Sequence, residues 1–155
     1  MILALMLAAA APQKLPPANP LPLEDPGTSA VMAPINAMFA GITARDGQAI
    51  LSQVRSEGGA TAVSEKPDGS RSISRRSWAE FAGGIKPGAE RYEERMQSPA
   101  IDIDGDVAMV WGRYVFLIDG KPHHCGVNHF DMIREAGQWK ILNVSWSQRT
   151  TGCEN

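Results

Sequence analysis

The chain carries little surplus charge of either sign. Its 15 lysine and arginine residues stand against 17 aspartate and glutamate residues, a formal net charge of −2 over 155 residues. The one basic concentration, between Arg71 and Arg76, is short and follows a turn signal, so we interpret it as a solvated hairpin arm. Nucleic-acid binding, which needs a broad basic patch, is therefore disfavoured.

Long hydrophobic runs and internal repeats are absent as well. The apolar run MILALMLAAAA at residues 1–11 is too short to span a bilayer as a stable helix. It matches the hydrophobic region and small-residue cleavage site of a secretory signal, although no lysine or arginine precedes it. We predict a signal peptide at 1–11, a periplasmic or secreted protein, and no membrane association after cleavage.

Cysteine is scarce, with only Cys125 and Cys153. An even count in an exported chain favours a disulfide. Cys125 lies within a predicted strand, and Cys153 lies in the C-terminal tail at 151–155, which could fold back along the last strand. We predict a Cys125–Cys153 disulfide, with a buried thiol and a free tail thiol as the alternative.

Proline is dense only near the N-terminus, where six residues fall between positions 12 and 26. Proline at this density favours extended polyproline II over helix or sheet. We interpret residues 12–27 as a tether and residues 28–150 as a single domain. A domain of that length can bury a substantial core.

Helical patterns come first in the domain. Residues 29–42 place five apolar side chains on one helical face: Val31, Ile35, Met38, Phe39 and Ile42. Asp46 can cap a second helix that runs to Val54 and stops at Gly58-Gly59. Ser77 and Glu80 form a capping box, which predicts a short third helix.

Strand patterns fill the rest. A hairpin is predicted over 60–75, a further strand over 91–97, and three strands between Ile101 and Trp146. Asp119-Gly120 is typical of a two-residue hairpin loop, and residues 135–138 predict a four-residue loop. Helices followed by an antiparallel meander indicate an α+β fold, with a curved sheet covered by helices on one face.

The first hairpin loop sets the strand register. If Ile118 lies opposite Lys121, the alternation of side chains sorts the central strands into two faces. The first face combines apolar and polar groups, so we predict that it lines a pocket. Its apolar walls would be Met109, Trp111, Phe130 and Met132. Its polar mouth would be Arg113, His124, Asn128 and Asn143, with Arg113 suited to an anionic or carbonyl ligand.

The second face contains Tyr114, Phe116 and Trp146, which no predicted element covers. It also contains His123, Cys125 and His129, residue types that can hold zinc. These three are strung along one strand over about 20 Å, which is too far for one ion. We therefore predict no metal site and no cofactor.

Three groups of residues resemble the nuclear transport factor 2-like (NTF2-like) superfamily. They are Phe39 to Gly47 (FAGITARDG), Gly105 to Ala108, and the run His124-Cys125-Gly126 with the later stretch Gly137 to Ile141 (GQWKI). Within the superfamily the chain looks similar to small exported bacterial proteins of the SnoaL-like or lumazine-binding type. The resemblance implies a cone-shaped fold with three helices on the concave face of the sheet, and a homodimer formed through the convex face.

The resemblance does not decide the activity, because this fold hosts many functions. The predicted pocket face has no carboxylate from the last three strands, which leaves His124 as the only catalytic candidate. We therefore predict an exported protein that binds an unidentified small molecule, with no catalysis established by the sequence and a non-enzyme favoured. The alternatives are an isomerase or dehydratase that uses His124 as general base, held by Asn128 or Asn143, and a dimerisation module with a filled cone.

Overall fold

A computed structural model describes residues 26–153. Within that range the chain forms α1 (Pro26–Ala44), α2 (Gly47–Leu51), β1 (Val54–Glu65), β2 (Arg71–Ser77), α3 (Trp78–Gly84), β3 (Tyr92–Asp104), β4 (Val107–Ile118), β5 (Lys121–Glu135) and β6 (Gln138–Gln148). The predicted signal peptide and nearly all of the predicted tether lie outside the described residues. No helix of the described range is long and apolar enough to cross a membrane.

The strands form one curved, unclosed sheet in the order β2-β1-β6-β5-β4-β3. Neighbours run antiparallel, except that β1 and β6 pair in parallel. The helices pack on one face of this sheet, where α1 contacts β3 and β6 and α3 contacts β1. The predicted α+β architecture, with helices against the concave face, is confirmed.

Helix α1 supplies the helical half of the core. The five apolar residues predicted to share one face, from Val31 to Ile42, are all buried. They pack against inner-face residues such as Val110 and Phe130, which are fully buried. Pro34 lies inside this helix, which continues through the proline to Ala44.

The second helix is shorter than predicted. Asp46 caps it through hydrogen bonds from the backbone N–H groups of Gln48 and Ala49, as expected, but the helix ends at Leu51. Gly58 and Gly59 lie inside β1 instead of ending a helix. Gly58 is required there because a Cβ would fall 1.6 Å from the carbonyl oxygen of Leu142.

The first turn of helix α3 is held by a capping box and by a hydrogen bond from a buried tryptophan. The predicted capping box between Ser77 and Glu80 is present. The first helical residue, Trp78, is buried and donates from Nε1 to the carbonyl oxygen of Leu142 at 3.0 Å. These contacts fix α3 over the β1–β6 end of the sheet, where its Phe81 faces the interior.

The β4–β5 register differs from the prediction by one residue. Asp119-Gly120 forms the two-residue loop, and Ile118 pairs with Lys121 as expected. The register then shifts between Leu117 and Phe116, so that Phe116 lies opposite His124. Pro122 explains the shift, because proline has no N–H to donate to the ladder and is tolerated in strands mainly at bulges and edges.

The second hairpin also departs from the prediction. Its loop has two residues, Ala136 and Gly137, because Glu135 pairs with Gln138. A further shift lies between the pairs Met132–Ile141 and Asp131–Asn143. These irregularities decide which side chains reach the concave face.

The two cysteines form the predicted disulfide, with Cys125 and Cys153 Cα atoms 5.5 Å apart. Cys125 also exchanges both backbone hydrogen bonds with Arg149, at 3.0 and 2.9 Å. The bond therefore fastens the tail beyond β6 to β5. Val115 and Leu117 pack around it in a small separate core.

Candidate functional site

A pocket opens between the helices and the concave face of the sheet. The volume that the centre of a water molecule can occupy is about 170 Å³. The total empty volume, including the part open to solvent at the mouth, is about 630 Å³. The helical side contributes Met38, Ile42, Phe81 and the following Ile85. The sheet contributes Glu94, Tyr114, Phe116, His124, Asn128, Phe130, Val144, Trp146 and Gln148. This is a mostly apolar cavity with a few polar groups, as small-molecule sites usually are.

Glu94 is the carboxylate of this pocket. It lies on β3 opposite Phe116, which in turn lies opposite His124, so the three share one row across the concave face. Asn128, itself buried, donates from Nδ2 to Oε1 of Glu94 at 2.6 Å. Burial raises the pKa of the Glu94 carboxyl to about 7, although the bond from Asn128 acts in the opposite direction.

Tyr114 forms the wall beside Glu94. Its side chain is buried, and its hydroxyl donates to the carbonyl oxygen of Ser147 at 3.1 Å. Burial and the nearby Glu94 raise the pKa of the Tyr114 hydroxyl above its usual value, while Arg149 acts to lower it. Tyr114 therefore stays neutral and holds a fixed position between the carboxyl group and the end of β6.

His124 lies over Phe116, with ring centroids 4.8 Å apart and planes 18° from parallel. Its Nδ1 is 2.9 Å from Nδ1 of His123, so one imidazole donates to the other. Burial, with a smaller effect of His123, lowers the pKa of His124 to about 4. The ring is therefore neutral at neutral pH, able to donate or accept one hydrogen bond but a weak base.

Gly126 makes room for this arrangement. It lies between Asn128 and His124 on the same face, where a Cβ would fall 1.9 Å from the carbonyl oxygen of Ser147. The absence of a side chain lets the end of β6 approach β5 closely. Ser147 then accepts the Tyr114 hydroxyl and also accepts from the backbone N–H of Val127.

Half of the predicted ligand-binding residues lie on the concave face. His124, Asn128 and Phe130 line the pocket, and Met132 is fully buried in the core on the same face of β5. All four lie on β5. Alternate residues of one strand share a face whatever the register with the neighbouring strand, so this part of the prediction does not depend on the register.

The other half lie on the opposite face, so their assignment to the pocket is wrong. Met109 and Trp111 are 41% and 51% exposed, and Trp111 lies opposite His129 rather than Asn128. Arg113 is exposed on the same outer face. The cause is the bulge next to Pro122, which exchanges the faces of β4 relative to β5.

Asn143 is also outside the pocket. It donates to Oδ2 of Asp131 and accepts from the backbone N–H of Gly59, both at 3.2 Å. Asn128 is committed to Glu94. Neither asparagine therefore holds His124, contrary to the general-base hypothesis, and the group that contacts the His124 ring nitrogen is His123.

The aromatic residues predicted for the convex face also change sides. Tyr114, Phe116 and Trp146 line the pocket. The apolar side chains that remain exposed on the outer face of β4 are Val107, Met109 and Trp111. The described residues contain no group of three or more histidine, cysteine or acidic side chains that could hold a metal ion.

Glu94 is the residue that sequence reasoning missed. The predicted pocket face takes its residues from the last three strands, and Glu94 lies on the strand before them. A signal was present, because Tyr92, Glu94 and Met96 alternate and so share one face of β3. A carboxylate between two apolar residues on a core-facing strand is a candidate for a pKa raised by burial.

Sequence comparison gives no relatives, since no protein-family model and no curated protein matches the chain. Solved structures do match. An NTF2-like protein of unknown function from Shewanella baltica superposes with a TM-score of 0.57 at 13% identity, over 79% of this chain and 93% of that chain. The chain has the NTF2-like fold.

Two further structural matches have names that state an activity. The beta subunit of a candidate aromatic-ring-hydroxylating dioxygenase from Novosphingobium aromaticivorans gives a TM-score of 0.66 at 10% identity, over 83% of this chain and 92% of that chain. A candidate scytalone dehydratase from the same organism gives 0.60 at 11% identity, over 83% of this chain and 95% of that chain. At these identities the NTF2-like fold is shared, and the activity of this chain has to be argued from its own pocket.

Proposed function

We propose that this NTF2-like protein is an enzyme that moves a proton within a small molecule held in its pocket, as isomerases and dehydratases do. The observation that carries the proposal is the half-buried Glu94 carboxyl in the mostly apolar pocket, held by Asn128, where desolvation raises its pKa to about 7. A general base or acid works best when its pKa lies near the working pH.

Glu94 supplies the proton transfer. With a pKa of about 7, a substantial fraction is ionised at neutral pH and can remove a proton from an acidic C–H bond. The resulting neutral acid can return the proton to another atom of the same molecule. Asn128 holds Oε1, so Oε2 is the oxygen available for the transfer.

His124 and Tyr114 orient the reacting molecule. His124 lies in the same row of the sheet as Glu94, and its low pKa keeps it neutral, so it can donate a hydrogen bond to a developing oxyanion without holding a full charge. Tyr114 is committed to Ser147 and acts as a wall. This assignment differs from the sequence hypothesis, in which His124 was the base.

The binding-protein hypothesis remains the alternative, since the same pocket can hold a ligand without changing it. A filled cone is disfavoured by the open cavity beside Glu94. The two remaining hypotheses differ in one respect: only the enzyme uses the ionised carboxylate to remove a proton from the bound molecule. A probe of general-base chemistry therefore separates them.

The test is the ring opening of a nitrobenzisoxazole, a flat, uncharged carbon acid. The base removes the ring C–H proton, the C≡N bond forms, and the N–O bond breaks to release a coloured cyanonitrophenolate. We expect the wild type to accelerate this reaction, with a rate that rises with pH around a midpoint near 7, and the Glu94→Gln variant to lose the acceleration. Equal rates for the two proteins would leave the binding hypothesis.

The matched control is Glu93→Gln. Glu93 is the neighbouring carboxylate on β3, but it faces the other side of the strand and pairs with Arg95 at 2.6 Å. Its replacement removes the same charge from the same strand without touching the pocket. We expect the rate of this variant to equal that of the wild type.

We further propose that the outer face of β4 binds a second copy of the chain. Val107, Met109 and Trp111 are between 41% and 57% exposed. Arg113 and Asp102 are exposed at the same surface, so the patch holds both signs of charge and can pair with its own copy across a two-fold axis. Trp111→Ser should convert a dimer to a monomer in native mass spectrometry, and Ile73→Ser, on exposed β2, should not.

We also propose that the protein is exported from the cytoplasm. The Cys125–Cys153 disulfide is compatible with an oxidising compartment. The mass of the protein recovered from the periplasm or medium should correspond to a chain cleaved near residue 11 and lacking two thiol hydrogens. A full-length, reduced chain would contradict both expectations.

A further inference from the structure

Among the described residues, the ionisable side chains that line the pocket include a carboxylate but no permanently positive group. They are Glu94, Tyr114 and His124, and no lysine or arginine is among the described residues of the lining. Arg149 is near enough to affect Tyr114, but it is exposed and lines a separate hollow together with Glu65 and Arg71. A negatively charged ligand would therefore meet a carboxylate and no cation.

An anion in this pocket would be unfavourable for two reasons. It would lose its hydration in a mostly apolar cavity without a paired charge, and it would lie near an ionised Glu94. Arg113, the residue predicted from sequence to bind an anion, is exposed on the opposite face of the sheet. The cation needed for a carboxylate or phosphate ligand is therefore on the wrong side of the protein.

A cation is disfavoured less strongly but by the same reasoning. An ammonium group could pair with Glu94, yet both charges would have to be removed from water, and such buried pairs often cost more than they return. The one hydrogen bond that Glu94 receives in the described structure comes from the neutral amide of Asn128. The carboxyl group is thus placed in a site for neutral partners.

The walls indicate a flat ligand. Phe116 and His124 present stacked rings on the sheet side. Phe81 from α3 and Trp146 from β6 also line the pocket and meet edge to face, with ring centroids 6.2 Å apart. The enclosed space, about 170 Å³ for the centre of a water molecule, suits a small ligand of one or two fused rings.

We propose that the pocket takes an uncharged, flat, one- or two-ring compound with a single carbonyl or hydroxyl oxygen near Glu94 and His124, and that Glu94 excludes anions of the same shape. This names the substrate class of the site described above, and so rests on the proposed function only in using the same pocket. The oxygen faces Oε2 of Glu94 and the imidazole of His124. The ring system contacts the aromatic walls.

Three naphthalene compounds of nearly equal size test the charge rule: naphthol, naphthoate and naphthylmethylammonium. Binding is followed at pH 8 by the fluorescence of Trp146, with Trp146→Phe to assign the signal. We expect naphthol to bind at least about tenfold more tightly than naphthoate, since like charges at close range in a partly desolvated site repel by more than that ratio requires. Naphthylmethylammonium should also bind more weakly than naphthol.

Two variants assign the rule to Glu94. Glu94→Gln keeps an acceptor for Asn128 but removes the charge, so it should bring the naphthoate affinity to within roughly threefold of the naphthol affinity. Glu93→Gln should keep the wild-type ratio. Tighter binding of naphthoate or of the ammonium compound, an unchanged ratio in Glu94→Gln, or binding of none of the three would overturn the proposal.

The outcomes separate this inference from the proposed function. Loss of nitrobenzisoxazole turnover in Glu94→Gln together with equal binding of naphthol and naphthoate would support the enzyme and overturn the charge rule. Retained turnover in Glu94→Gln, together with a preference for naphthol over naphthoate in the wild type, would contradict the enzyme and support the charge rule.

Discussion

Asn128 on β5 donates a 2.6 Å hydrogen bond from Nδ2 to Oε1 of Glu94 on β3, across the intervening strand β4. The curvature of the sheet brings these two side chains together on the concave face. The contact joins a buried amide to a carboxyl group that burial would otherwise leave without a partner. It fixes Glu94 in place while leaving its pKa near 7.

The first prediction concerns stability and pH. The pKa of Glu94 is raised from 4.5 to about 7, so the folded state binds more protons than the unfolded state between those values. Wild-type stability from this group therefore falls as pH rises from about 4.5 to 7. Glu94→Gln should be more stable than the wild type at pH 8, by at most on the order of 3 kcal/mol because the residue keeps partial exposure. Urea unfolding at pH 8 and pH 4 measures this, and an equal difference at both pH values would contradict it.

His124 should act in the opposite direction. Its pKa is lowered to about 4, so the unfolded state binds more protons between about 4 and 6.5, and stability from this group falls as pH drops through that range. The effects of Glu94 and His124 thus oppose each other in the wild type. In Glu94→Gln the fall in unfolding free energy at acidic pH that is due to His124 should become visible. In the double variant Glu94→Gln/His124→Gln this fall should disappear. A double variant as acid-sensitive as the single one would assign the loss to another group.

The third prediction concerns the disulfide. Cys125 and Cys153 close a loop with a sequence separation of 28, which is worth about 3 to 4 kcal/mol in the chain-entropy model. Cys153→Ser should lower the free energy of unfolding by about this amount. Dithiothreitol should lower the stability of the wild type similarly and leave Cys153→Ser unchanged. A reductant effect of equal size on both proteins would show that the loss does not come from this bond.

The fourth prediction compares two glycines. A Cβ at Gly58 would fall 1.6 Å from the carbonyl oxygen of Leu142, whereas one at Gly83 in α3 would meet nothing within 4 Å. Gly58→Ala should therefore cost several kcal/mol or prevent folding, since β1 would have to move away from β6. Gly83→Ala should be neutral or stabilising by up to about 1 kcal/mol, because alanine favours helix. Similar melting temperatures for the two variants would be inconsistent with the close approach of β1 and β6.

The element types and the core of α1 could be predicted because periodicity, caps and turn residues act locally. The five buried residues from Val31 to Ile42, the cap at Asp46 and the loop at Asp119-Gly120 follow from such signals. The disulfide follows from the cysteine count and from the predicted export. These features need no knowledge of which strands meet.

The site could be predicted only in part, because it depends on register. A single bulge beside Pro122 moved Met109, Trp111 and Arg113 to the outer face while leaving His124, Asn128 and Phe130 in the pocket. A proline in a strand is a visible warning of such a shift. Glu94 was missed for a different reason: its meeting with Asn128 crosses a strand and depends on the curvature of the whole sheet.

The most direct test of the account is the titration of Glu94 itself. Carbon-13 NMR of protein labelled at the glutamate side-chain carboxyl carbons, with the Glu94 resonance assigned by its loss in Glu94→Gln, reports the ionisation of this one group. We expect a midpoint near 7, well separated from the other glutamates. A midpoint near 4.3, the ordinary value for an exposed glutamate, would show that the pocket does not hold a proton near neutral pH and would contradict the proposed function.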